Sequence, residues 1–294
     1  MITNTFDDKT EAIISPKSFC KKRKKEGCIA VDMKDKIAES INILGRFCGK
    51  RDISVLTKNE LKVKYGLEQV DVMVLFGGSI LIGGDVLAEA MKNRIARKYV
   101  IVGGAGHTTE TLLVKMHNEF PEIETNGLPE AKAFAAYLKY KYNLEPDLLE
   151  CKSTNCGNNI TYLLDLLKEN NISFKSIILS QDATMQHRME AGLRKYISQD
   201  NVIINYAVYD VDVVVRDNEL EFKHHILGMW NIEKYITLLM GEIPRLSDDD
   251  EGYGPNGKNY IAHVEIPIEV SNAFMELKKV YGSSIRKANP LYAS

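Results

Sequence analysis

Val70-Asp71-Val72-Met73-Val74-Leu75-Phe76, followed by Gly77-Gly78-Ser79, is the stretch that decides the fold. It is a short apolar run that stops at glycines, and it reads as a buried strand of a parallel sheet. The same unit recurs along the chain. A helix is expected from about Asp85 to Lys98. A second strand, Tyr99-Val100-Ile101-Val102, then ends in Gly103-Gly104-Ala105-Gly106-His107-Thr108-Thr109, with a further helix expected after it. Pro129 suits the first turn of a helix reaching Tyr142, in which Ala133, Ala136, Tyr137 and Tyr140 share a face. Leu148-Leu149 leads a third strand into Ser153-Thr154-Asn155-Cys156-Gly157-Asn158-Asn159, and a helix is expected from Cys156 to about Glu169. Ser176 to Ser180 is a fourth strand, ending in Gln181-Asp182-Ala183-Thr184-Met185-Gln186-His187-Arg188, with Asp182 as helix cap. Val202 to Val208 is a fifth.

This alternation predicts an α/β protein, a parallel sheet with helices on both faces, over residues 70–210. Residues 1–69 form an N-terminal arm, with the basic run Lys21-Lys22-Arg23-Lys24-Lys25, and a helix packed on the core. Ile37, Ile41, Leu44 and Phe47 recur at helical spacing before Gly49. After Asp210 the rhythm changes, and 211–294 read as a smaller C-terminal lobe. It holds a strand near Val211 to Val215, a helix from Trp230 to Met240, a charged Gly/Pro loop, and a last helix from Ile268 to Tyr281.

The chain has 294 residues, 45% hydrophobic and 27% charged, with a formal net charge of -2. That balance argues against a general nucleic-acid binder, which is usually basic. Five cysteines form no CxxC pair, and neither a signal peptide nor an apolar run of membrane-spanning length is read. The expectation is a cytoplasmic protein with reduced thiols, a small-molecule ligand, and no nucleic-acid or membrane partner.

In an open parallel sheet all the strand-end junctions lie on one edge, where ligands bind. The Gly103 to Thr109 turn could bring backbone amides to an anion, with Thr108 and Thr109 adding hydroxyls. It matches neither GxxxxGK[ST] nor GxGxxG, and a tight turn without ligand competes with that reading. Ser153, Thr154 and Asn155 exceed the need for one helix cap, and Asn155 and Asn159 can share a face. Thr184, His187 and Arg188 fall at helical spacing. Arg188 suits a carboxylate or phosphate, or a structural pair with Glu130 or Asp182. His107 and His187 are candidate acid–base groups. Cys156 lacks an identifiable basic partner, and Met185 suits packing. Asp248-Asp249-Asp250-Glu251 fails the EF-hand pattern, and His224-His225 lacks partners for zinc, so no metal is expected.

Several of these motifs together resemble the YdcF-like bacterial proteins, a broad family of unknown function that also includes SanA and ElyC. The carriers are Ser153-Thr154-Asn155-Cys156-Gly157, Gln181-Asp182 with Thr184-Met185-Gln186 and Arg188, and Gly103-Gly104, Gly106-His107 and Glu130-Ala131. The tail residues Gly228, Trp230, Gly241-Glu242, Pro244-Arg245-Leu246 and Gly252-Tyr253-Gly254-Pro255 mark the YdcF branch. The resemblance spans about residues 35 to 275. It implies a Rossmann-like core, a smaller C-terminal part, and binding of S-adenosylmethionine without an established reaction. It departs from the family at Asn158, where Glu is usual.

The resulting expectation is a ligand site formed by Gly77, Gly103, Gly104, Gly106, His107, Thr108, Glu130, Ser153, Thr154, Asn155, Asn159, Gln181, Asp182, Thr184 and Arg188. Within it, the glycine turn meets a carboxylate or ribose, and Arg188 anchors a carboxylate. A hydrolase or transferase acting on a phosphorylated sugar or nucleotide, and a non-catalytic interaction protein, are the alternatives.

Overall fold

The computed structural model describes residues 33–78, 80–106 and 108–282. The basic run at 21–25, His107 and the tail after 282 lie outside the described residues. Helix α1 covers 33–48. It is followed by α2 (Lys58–Tyr65), β1 (Val70–Phe76), α3 (Ile82–Asn93), β2 (Ala96–Val102), α4 (Thr109–Glu119), α5 (Glu130–Tyr142) and β3 (Leu148–Glu150). Then come α6 (Cys156–Glu169), β4 (Ser176–Ser180), α7 (Gln186–Arg194), β5 (Val202–Asn205), β6 (Val213–Arg216), β7 (Glu219–Phe222), α8 (Ile232–Leu246) and α9 (Ile268–Tyr281).

The five main strands form one parallel sheet in the order β3-β2-β1-β4-β5. From β1 the chain works outward through β2 to β3, then returns to lay β4 against the other side of β1. That reversal makes the carboxyl ends of β1 and β4 the switch point, where the outgoing loops diverge and a crevice forms. Both faces of the sheet are covered. Val72, Val74 and Phe76 pack with Ile160, Leu163 and Met189 of α6 and α7, while Met73 and Leu75 join a larger cluster with α1, α3, α5 and α8. Burial on both sides explains why β1 after Asp71 is a continuous apolar run rather than an alternating one.

The segment after residue 210 shares that larger cluster. Tyr235, Leu239, Met240 and Leu246 of α8 and Leu277 of α9 are buried in the same core as Met73 and Leu75.

Several boundaries differ from the sequence reading. The helix expected to reach Lys98 stops at Asn93. Ala96 already pairs with Val70, and the exposed Arg97 and Lys98 disguise the start of β2. Trp230 lies outside α8, whose N-cap is Asn231, its side chain accepting from the Lys234 N–H at 2.8 Å. The strand near Val213 does not extend the main sheet. It forms a hairpin with β7 around Asp217 and Asn218, both at positive φ (48° and 62°), the pair a tight primed turn requires. Helix α2 was not anticipated, yet Thr57 accepts from the Glu60 N–H at 3.2 Å in a Thr-x-x-Glu arrangement that signals a helix start.

Among the described residues no helix is long and apolar enough to cross a membrane.

Candidate functional site

The glycine turn after β2 is built around its own hydrogen bonds. Gly103 N–H donates to Glu150 O at 3.0 Å, continuing the ladder one residue past the strand. Gly104 N–H donates to Ser153 Oγ at 3.2 Å, and Gly106 N–H to Thr109 Oγ1 at 2.7 Å. Three of the turn's amides are therefore engaged by the protein, so the turn does not present them as an anion cradle. Its carbonyls are used as well. Glu130 N–H donates to Gly104 O at 2.9 Å and Ala131 N–H to Gly103 O at 2.8 Å, which docks the first turn of α5 onto it. Glycine is required at 104 because a Cβ would overlap the Ser153 backbone.

That docking delivers Glu130 to the crevice. Its side chain reaches the ends of β1 and β2, so that a Cβ at Gly77 would overlap its carboxylate and one at Gly103 would lie 3.0 Å from its Cβ. Glu130 is 8% exposed. Oε1 accepts from Thr109 Oγ1 at 2.8 Å. Among the described residues Oε2 accepts no hydrogen bond. Burial raises the Glu130 carboxyl above its ordinary range, opposed by the Thr109 bond.

Asp182, at the end of β4, is a second buried carboxylate. Oδ1 accepts from Thr184 N–H (2.9 Å), Thr184 Oγ1 (2.9 Å) and Tyr209 OH (2.7 Å), while Oδ2 accepts from Trp230 Nε1 (2.8 Å). It closes the turn before α7 rather than capping the helix. The helix begins at Gln186, and its N-cap Met185 makes no side-chain cap bond. Gln181 bridges the switch point through Nε2 to Gly77 O at 3.2 Å, beside a recess of about 10 Å³.

The 153–159 junction behaves in part as a cap. Asn155 Oδ1 accepts from the Asn158 N–H at 2.9 Å. Asn158 Oδ1 accepts from Thr154 Oγ1 and Asn155 Nδ2, both at 3.0 Å. Asn155 is the cap itself, and its carbonyl accepts the Asn159 N–H at 2.9 Å, so Asn159 sits one turn into α6. Asn155, Cys156 and Asn158 line a cavity of about 290 Å³, closed by Tyr253 and Ile261.

Arg188 also faces that cavity, but its partner is Glu242. Nε and Nη2 clamp the Glu242 carboxylate at 2.5 and 3.0 Å, and the two side chains are 13% and 4% exposed. Neither Glu130 nor Asp182, the mates considered from the sequence, is its partner. Thr184, His187 and Arg188 do not converge. Thr184 precedes the helix, and His187 Nδ1 contacts Phe47 O at 2.9 Å. Burial lowers the His187 pKa, with the nearby Lys50 charge adding to the effect.

The edge thus gathers Gly77, Gly103, Gly104, Thr109, Glu130, Ser153, Gln181, Asp182 and Thr184. Asn155 and Arg188 lie toward the adjoining cavity. The acidic loop is structural: Asp248 accepts from Asn256 N–H at 2.6 Å and Asp249 from Gly252 N–H at 2.9 Å. Among the described residues no cluster of three or more His, Cys, Asp or Glu could hold a metal.

Three site-forming residues escaped the sequence reading, and Thr109, read there as a hydroxyl of the glycine turn, has a different role. Glu150 accepts from the N–H groups of Lys152 (2.5 Å) and Ser153 (3.1 Å), fixing the turn after β3. Thr109 orients Glu130, and Tyr209 and Trp230 hold Asp182. An acidic residue ending a strand and a lone tryptophan near a glycine are the only local signals these leave.

No family model matches the chain.

Proposed function

We propose that the protein binds S-adenosylmethionine at the carboxyl edge of the sheet, and that it belongs with the YdcF-like proteins its motifs resemble. The observation that carries this reading is Glu130, a buried carboxylate at the strand ends whose Oε2 accepts no hydrogen bond among the described residues. Glu130 and Asp182 make the crevice acidic, and the Arg188 charge is already balanced by Glu242. The amides of Gly103, Gly104 and Gly106 are bonded internally. An edge with two buried carboxylates, where these three amides are already engaged, suits a ligand that carries positive charge and donates hydrogen bonds. S-adenosylmethionine fits, with its sulfonium, ammonium and ribose hydroxyls. A phosphorylated sugar or nucleotide would meet two carboxylates and find the Gly103, Gly104 and Gly106 amides engaged, which works against that alternative.

In this reading Glu130 Oε2 receives a ribose hydroxyl or the ammonium group, while Thr109 holds the other oxygen and fixes the carboxylate plane. Gly77 and Gly103 keep the approach clear of side chains. Gln181 and Asp182 hold the opposite wall. When bound, the ligand would supply an activated methyl group, whose transfer requires chiefly that the sulfonium and nucleophile be oriented.

Calorimetry with S-adenosylmethionine, S-adenosylhomocysteine and a nucleoside diphosphate tests the proposal. The sulfonium form should bind more tightly than the neutral thioether, and the diphosphate weakly. No heat from S-adenosylmethionine at millimolar concentration would overturn it.

A further inference from the structure

A cleft of about 580 Å³ opens between α4 and the 222–230 segment. Of its lining residues only Trp230 also touches the crevice described above, through its bond to Asp182. Its walls include Leu81, Phe222, Ile226, Met229 and Trp230, and Lys115 projects into it from α4. The Lys115 ammonium is half-buried. It donates to Gly228 O at 2.7 Å and Met229 O at 3.4 Å, and sits 4.5 Å over the Trp230 ring. Among the described residues it has no carboxylate within ion-pair reach. Asp182 attracts it only from a distance, and desolvation lowers its pKa. A partly desolvated cation held by carbonyls and a ring has, among the described residues, no counter-charge in contact, and buried charges are ordinarily paired.

We propose that this cleft binds a monocarboxylate carried on an apolar body, with the carboxylate on Lys115 and the body against Trp230, Met229 and Phe222. The walls argue for the apolar body. Glu119, on the same cleft one helical turn beyond Lys115, disfavours a second negative charge and so a phosphate. His224 and His225, also on the cleft, offer further ring N–H donors. This inference does not depend on the S-adenosylmethionine reading: apart from Trp230, whose indole also bonds Asp182, it uses other residues, and it takes other ligands.

Trp230 is the single tryptophan of the chain, so its emission reports on the cleft directly. Titrating the full chain with hexanoate should give a saturable change, while hexanol, hexylammonium and inorganic phosphate should not. Lys115→Met should weaken hexanoate by roughly tenfold or more, the loss of one charge-assisted bond, and Lys115→Arg should retain it. Circular dichroism checks that Lys115→Met folds; if it does not, the wild-type contrast between hexanoate and hexanol still decides. No saturation with hexanoate, equal binding of hexanol or phosphate, or unchanged affinity in folded Lys115→Met would each overturn the proposal.

Discussion

Glu130 and Asp182 are two buried carboxylates on the same sheet edge, and they are held in opposite ways. Asp182 accepts four hydrogen bonds, from Thr184, Tyr209 and Trp230, and both its oxygens are engaged. Among the described residues the Glu130 side chain accepts one, from Thr109. A saturated buried carboxylate is a structural joint, and here it fastens β4 to residues 209 and 230. An undersatisfied one costs stability, and native proteins tolerate that cost mainly where function uses it. The contrast separates the part of the edge that holds the fold together from the part proposed to meet the ligand.

The largest expected effect lies just outside that pair. Glu242→Ala would strand Arg188 as a buried unpaired cation, and breaking such a pair costs about 3–5 kcal/mol. Urea unfolding would measure it. The sequence reading offered Arg188 as a ligand anchor or as half of a structural pair; a stability change near zero would favour the anchor and remove the pair from the structural side of the comparison.

Asp182→Ala comes next. It leaves the Tyr209 hydroxyl and the Trp230 indole N–H without their acceptor, and about 3 kcal/mol should be lost. Trp230 emission should shift, because its bond partner is gone. A variant as stable as wild type would erase the distinction between the two carboxylates.

Glu130→Gln should behave in the opposite sense. Its folded-state pKa is raised, so between the unfolded and folded values the native state holds more protons than the unfolded one. Wild-type stability should therefore be greatest below the ordinary glutamate range and fall as pH climbs through the raised value. The glutamine variant should lack this fall and equal or exceed wild type at neutral pH. Parallel thermal melts across acidic to neutral pH would reveal it, and a variant less stable at neutral pH than at acid relative to wild type would contradict the sign.

The smallest effect concerns Asn158. Glutamate there keeps an acceptor for Thr154 and Asn155 and adds negative charge in the first turn of α6, worth about 0.3–1 kcal/mol of stabilisation. A thermal melt of Asn158→Glu would show a slight rise. A drop would mean that the carboxamide nitrogen of Asn158 is in use.

The parallel sheet could be read from the sequence because strands buried on both faces leave continuous apolar runs ending at glycines, as in β1. The edge as the proposed binding location followed from the same alternation. What each polar residue does there was not legible, because the partners are remote in sequence. Gly104 is bonded to Ser153, Asp182 to Trp230 and Arg188 to Glu242, the last two pairs 48 and 54 residues apart. Local spacing presented the glycine turn as an amide nest, and only the tertiary fold commits those amides to the protein. Likewise, helical spacing put Thr184, His187 and Arg188 on one face, but the helix starts only at Gln186. Glu130 was a candidate from the outset. Its significance rests on the docking of α5 against Gly103 and Gly104, which no local pattern encodes.

The most direct measurement of the central claim is calorimetric titration of S-adenosylmethionine into wild type and Glu130→Gln, alongside a melt of each. The account predicts binding to wild type, an affinity lower by roughly tenfold or more in the variant, and no loss of stability at neutral pH. Equal affinity in a folded Glu130→Gln, or no binding to wild type, would contradict it.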